Sequence, residues 1–167
     1  MTILVTGYGP YGTDSINPAW ETAKVLDGNV FNGHRVVSAQ LPVDVKDNIK
    51  LIHSLILNYN PSIIIGLGVA PGRSVITVER FATNLLDLPQ PDEGGNQPQG
   101  IPIIQEGPVA YQSTIPIRAI VQAMKGSGVP SSISYSGGTH GCNQLLYWLL
   151  HYSTVNGNKI KAGFIHL

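Results

Sequence analysis

One cysteine, ten carboxylates and five histidines are the side chains with which this chain can do covalent or proton-transfer chemistry. Cys142 lies in Ser136-Gly137-Gly138-Thr139-His140-Gly141-Cys142-Asn143-Gln144, where a Ser/Gly/Thr-rich loop leads from a short β-like run, residues 133–135, into an apolar helical segment. Thr139 fits an N-cap, which puts Cys142 in the first helical turn. Unpaired N–H groups and the positive end of the helix dipole stabilise negative charge there, so the position favours a thiolate, the nucleophilic form. A lone cysteine is also commonly a small buried hydrophobe. It needs partners before it counts as a nucleophile.

A nucleophilic thiol requires a base, and the base requires a group that orients it. Residues 75–81 alternate like a strand and contain Glu79 beside Arg80. A carboxylate in an apolar run must be paired or hydrogen-bonded. Adjacent strand residues point to opposite faces, so Arg80 is poorly placed and a histidine would serve. Five histidines compete. His34 is read in a turn, His53 as structural beside a helix stripe, and His151 near a helix C-terminus, where a cation complements the dipole. His140, two residues before Cys142, would shape a pocket, and His166 ends a strand, where a side chain can project into a cleft.

The elements that would position these residues follow from periodicity. Strands are predicted over residues 2–6, 35–41, 62–67, 75–81, 131–135 and 161–167, and helices over 19–26, 45–59, 115–124 and after Cys142. Ile49, Ile52, Leu55 and Ile56 form one apolar helix face. The alternation argues for one three-layer α/β/α domain with a mostly parallel central sheet, whose carboxyl-end loops share a face. Residues 84–108 hold five prolines and four glycines and read as one long loop.

Gly7-Tyr8-Gly9-Pro10-Tyr11-Gly12 follows the first strand and matches G-x-G-x-x-G, which leaves a nucleotide-binding α/β protein as a weaker alternative. Pro10 interrupts the turn, helical pattern resumes only at Asn17-Pro18, and no carboxylate ends the second strand to take a ribose hydroxyl. The stretch reads better as a wide loop presenting Tyr8 and Tyr11 to a ligand.

Ten basic side chains balance ten acidic ones without a Lys/Arg cluster, which argues against nucleic acid or an anionic membrane as partner. Neutral small molecules or peptides suit this surface better. A single cysteine cannot close an intramolecular disulfide, no signal-like leader opens the chain, and no apolar run is long enough to span a bilayer, so a cytoplasmic location is expected. The Cys, His and Asp spacing suggests no metal site.

Glu79 in Val-Glu-Arg, Cys142 in Gly-Thr-His-Gly-Cys-Asn and His166 in Ala-Gly-Phe-Ile-His, taken in that order, resemble type I pyroglutamyl peptidases, also called pyrrolidone carboxyl peptidases. The likeness extends through Thr6 to Gly12, Asn17-Pro18, Gly72-Arg73, Asn84, Pro91-Asp92, Gly95 to Pro98 and Gly107 to Tyr111, nearly the whole chain. It implies a cytoplasmic cysteine peptidase that removes N-terminal pyroglutamate (5-oxoproline) from peptides. By the same resemblance Cys142 is the nucleophile, His166 the base and acid, and Glu79 the orienting carboxylate. Tyr8, Tyr11, Asn17, His140 and Gly141 are then substrate-binding, with no cofactor or metal.

The family usually has phenylalanines at the positions of Tyr8 and Tyr11, phenylalanine-valine at His140-Gly141, an arginine at Pro89 and a glutamine at Val69. The pocket is therefore expected to be more polar and less filled. Members also continue past the catalytic histidine, so residues 1–167 are expected to form a single catalytic domain without that segment. A relative that keeps the triad but acts on, or mainly binds, another N-terminal cap is the alternative, and a homo-oligomer is left open.

Overall fold

Strand β1 (Thr2–Tyr8) has apolar residues of both parities because it is buried on both faces, as a central parallel strand must be. Leu4 and Tyr8 join one core cluster and Val5 the other. The computed structural model describes all residues, 1–167. In chain order β1 is followed by α1 (Pro18–Leu26), β2 (Val30–Phe31), β3 (His34–Leu41), α2 (Asp47–Tyr59), β4 (Ile63–Gly68) and β5 (Ile76–Glu79). Then come β6 (Phe81–Thr83), β7 (Ala110–Gln112), α3 (Ile117–Gly126), β8 (Ser131–Ser134), α4 (Gly141–Val155) and β9 (Lys161–His166).

Seven strands form one sheet in the order β2-β3-β1-β4-β9-β5-β8, and β6 pairs with β7 apart from it. The pairs β1·β3, β1·β4, β4·β9 and β5·β8 are parallel; β2·β3 and β5·β9 are antiparallel. Ile52 and Ile56 of α2 and Leu145 to Leu150 of α4 cover one face with Leu4, Ile64 and Phe164. Ala19 and Ala23 of α1 and Ile117 and Val121 of α3 cover the other with Val5, Leu67, Val78 and Ile165. The fold is thus the three-layer α/β/α arrangement with a mostly parallel sheet.

Two departures from the sequence reading matter to function. Residues 75–81 are not one strand: β5 ends at Glu79, and Phe81 starts a ribbon of its own with β7. And because β5 runs antiparallel to β9, Glu79 does not reach the site from the carboxyl end shared by the parallel strands. The long loop, residues 84–108, is fixed by polar and apolar ties rather than by elements. Asn84 exchanges two hydrogen bonds with the Ile104 backbone, and Leu86 and Leu88 pack on Val45.

α4 can lie close to the sheet because β4 carries glycines there. A Cβ on Gly66 would come within 2.5 Å of the Phe164 ring, and one on Gly68 within 2.8 Å of the same ring and 3.0 Å of Cys142 Sγ. Side chains at either position would push the layers apart.

Candidate active site

Cys142 stands in the first turn of α4, directly over Gly68 of β4. Gly68 is the register partner of His166 in β9, so thiol and imidazole flank one strand end on the α4 face. His166 lies opposite Thr77 in β5. Glu79, two residues further, shares that face. Its Oε1 meets His166 Nδ1 at 2.8 Å, with both side chains almost wholly buried. Glu79 thus pairs with a histidine and not with Arg80, in keeping with strand alternation. Arg80 instead sits over the Tyr135 ring, 5.7 Å from its centroid.

Arg73, in the turn before β5, is a partner that sequence reasoning missed. Its Nη1 donates to Glu79 Oε1 at 2.7 Å and to Thr77 Oγ1 at 2.6 Å, and its Nη2 donates to Ser136 O at 2.9 Å. The available signal was that a buried carboxylate is seldom satisfied by one donor, with Arg73 the other arginine near it in the chain. Burial alone would raise the Glu79 carboxyl, but the polar contacts of His166, Ser134 and Arg73 outweigh it and hold the group below its usual range.

The surroundings of Cys142 work against the thiolate that the helix start favours. Burial, with the negative charge of Glu79 added, pushes the Cys142 thiol up to about 12, and the favourable pull of its own N–H and of Arg73 does not offset this. Desolvation opposes the contribution of the helix start, which makes a base necessary to draw off the thiol proton. Thr139 is not the N-cap. His140 occupies that position without a side-chain cap bond, while Thr139 Oγ1 donates to Asp87 O at 2.8 Å and so clamps the cysteine loop to the long loop. The N–H groups of Gly141, Cys142 and Asn143 find no acceptor in the protein.

Of the residues read as substrate-binding, Tyr8, Tyr11, His140 and Gly141 line one cavity of about 580 Å³ together with Cys142; Asn17 does not. Asn17 is buried as the cap of α1, accepting from Ala19 N at 3.0 Å and donating to Gly9 O at 2.8 Å. It shapes the loop between Tyr8 and Tyr11 from behind. Tyr8 is not carried by the wide loop but is the buried end of β1. Its hydroxyl donates to Gly141 O at 2.8 Å and accepts from Asn48 Nδ2 at 3.2 Å. Val69 and Pro89 also line the cavity. The glycine spacing at Gly7 serves packing, since a Cβ there would lie 2.3 Å from Ala19 O of α1.

The remaining histidines lie away from this centre. His34 opens β3 opposite Phe31 rather than sitting in a turn, His53 meets the rings of Trp148 and Tyr152, and His151 pairs with Tyr111 Oη at 3.0 Å. No group of three or more His, Cys, Asp and Glu side chains is placed to hold a metal, and no helix is long and apolar enough to cross a membrane.

A family model described as pyroglutamyl peptidase matches residues 1–167. The chain belongs to the pyroglutamyl peptidase family. A pyrrolidone-carboxylate peptidase of Bacillus cytotoxicus is 45% identical over 166 residues, covering 99% of this chain and 77% of the relative. The crystal structure of pyroglutamyl peptidase I from Bacillus amyloliquefaciens superposes with a TM-score of 0.97 at 39% identity, over 99% of this chain and 81% of that one. The pyrrolidone carboxyl peptidase from Thermococcus litoralis gives 0.96 at 41% identity, over 99% and 76%. These pyroglutamyl peptidases share the α/β fold described above.

Proposed function

We propose that this chain is a cysteine exopeptidase that removes N-terminal pyroglutamate from peptides, with residues 1–167 acting as one catalytic domain in the cytoplasm. Cys142 is the nucleophile, His166 the general base and acid, and Glu79 the carboxylate that orients the imidazole. The observation that carries the reading is the Glu79 to His166 bond on the sheet face where Cys142 Sγ lies over Gly68. With Nδ1–H donated to Glu79, the imidazole keeps Nε2 for proton exchange.

His166 removes the thiol proton as the sulfur attacks the carbonyl carbon of the pyroglutamyl residue. The resulting oxyanion is held by the unpaired N–H groups at the start of α4. Collapse breaks the C–N bond, and His166 returns its proton to the leaving amine. Water, deprotonated by the same imidazole, then attacks the thioester, which releases pyroglutamate and restores the thiol. The substrate ring is a neutral lactam, and the cavity that takes it carries Tyr8, Tyr11 and Val69 beside the sulfur.

Hydrolysis of a fluorogenic pyroglutamyl amide tests this. Turnover is expected from the wild type and should vanish after iodoacetamide treatment and in Cys142→Ser. A folded wild type without turnover would sink the proposal.

A further inference from the structure

Arg73 joins three segments at once, two through its guanidinium and one through its backbone. Nη1 reaches Thr77 and Glu79 of β5, Nη2 reaches the Ser136 carbonyl in the loop between β8 and α4, and the residue itself ends the turn that follows β4, its N–H donating to Ala70 O at 3.1 Å. The glutamate oxygen it contacts is Oε1, the one that also receives His166 Nδ1, while Oε2 has no partner. Both donors thus converge on one oxygen. On the other side, Ser136 begins the stretch that ends at Cys142, and its oxygen accepts from Ser134 Oγ at 3.1 Å as well.

We propose that Arg73 is a positioning residue of the reaction, holding Glu79 Oε1 against His166 and anchoring, through Ser136, the loop that delivers Cys142. This rests on the peptidase reading given above. Arg73 does not line the cavity that holds Cys142. It acts through the carboxylate and the loop, so both halves of the machinery share one tether. A planar fork can hold two acceptors in fixed relation where a single ammonium cannot. The positive charge of Arg73 also acts on the thiol against the negative charge of Glu79; Tyr8, Tyr11, His140, His166, Asp44, Asp92 and Glu93 are the other titratable groups around the sulfur and its cavity.

Arg73→Met and Arg73→Lys separate the two duties. With a fluorogenic pyroglutamyl amide, Arg73→Met should lose about tenfold to a hundredfold in kcat, the scale of a misplaced catalytic group, with KM changed by no more than about twofold. Alkylation of Cys142 by iodoacetamide should require higher pH in Arg73→Met. Arg73→Lys, which keeps the charge and loses the fork, should alkylate along the wild-type pH curve while recovering only part of kcat. Wild-type kcat in folded Arg73→Met overturns the proposal. So does a loss of kcat matched by the unfolded fraction, with the alkylation curve unmoved. If Arg73→Met does not fold, Arg73→Lys decides: reduced kcat at unchanged KM supports the tether, wild-type kcat removes it. Absence of turnover in the wild type would instead count against the peptidase reading, and the alkylation curves would still test the role of Arg73.

Discussion

Glu79 reaches His166 diagonally across an antiparallel strand pair: the histidine faces Thr77, and the carboxylate two residues further closes the 2.8 Å gap to Nδ1. The contact depends on register, because a slip of one residue would turn Glu79 to the opposite face. Glu79→Gln keeps the shape but presents an amide in place of a carboxylate, and can turn a donor toward Nδ1. The ring would then be free to adopt the wrong tautomer. A fall in kcat of about a hundredfold or more is expected, by analogy with asparagine in place of a triad aspartate. Steady-state assays with the fluorogenic amide check this, and a loss below tenfold would remove Glu79 from the orienting role.

Gly68→Ala places a methyl group 3.0 Å from Cys142 Sγ and 2.8 Å from the Phe164 ring. Something must move, and the sulfur is the freer neighbour. Overpacking of this kind costs about 1–3 kcal/mol. The activity should suffer more than the stability does, with kcat down by about tenfold to a hundredfold for a displacement near 1 Å. Urea unfolding and kcat measured on the same preparation separate the two effects; equal losses would mean that only folding is disturbed.

Asp92 gathers the N–H groups of Val45, Gly94 and Asn96 and the Asn96 side chain, tying the long loop to the segment before α2. Its carboxyl is held below its ordinary 3.8, since burial, which would raise it, is outweighed by these donors. A carboxylate whose folded value is depressed stabilises the fold above the unfolded value and loses that contribution as pH falls through the folded one. Asp92→Asn turns an NH2 group onto a donor and should cost about 1–2 kcal/mol at neutral pH. The difference from wild type in urea unfolding should be constant down to about pH 5 and narrow below it. A gap independent of pH would show that charge has no part in it.

Much of the molecule was legible in the chain because its signals are local. Both-face burial marked β1 and β4, helical periodicity marked α2, and the loop-to-helix transition put Cys142 in a first turn. What escaped depends on contacts between distant segments. The strand direction of β5 has no sequence signature, and so the angle from which Glu79 enters could not be read. Arg73 meets Ser136 from 63 residues away. Asn17 was legible in type but not in role: its amide caps α1 instead of facing the cavity. The pull that opposes a thiolate at Cys142 escaped for the same reason, since helix position is local whereas desolvation is set by what packs around the sulfur.

The place of β9 has a kinetic meaning. It follows every other element in chain order, yet it lies in the interior of the sheet between β4 and β5 and supplies His166. The pairings that seat it between them join residues far apart in sequence, which slows the search. Until that insertion is complete, the nucleophile has no base. Recovery of turnover during refolding therefore reports the docking of β9, and any form of the chain with β9 undocked is chemically silent.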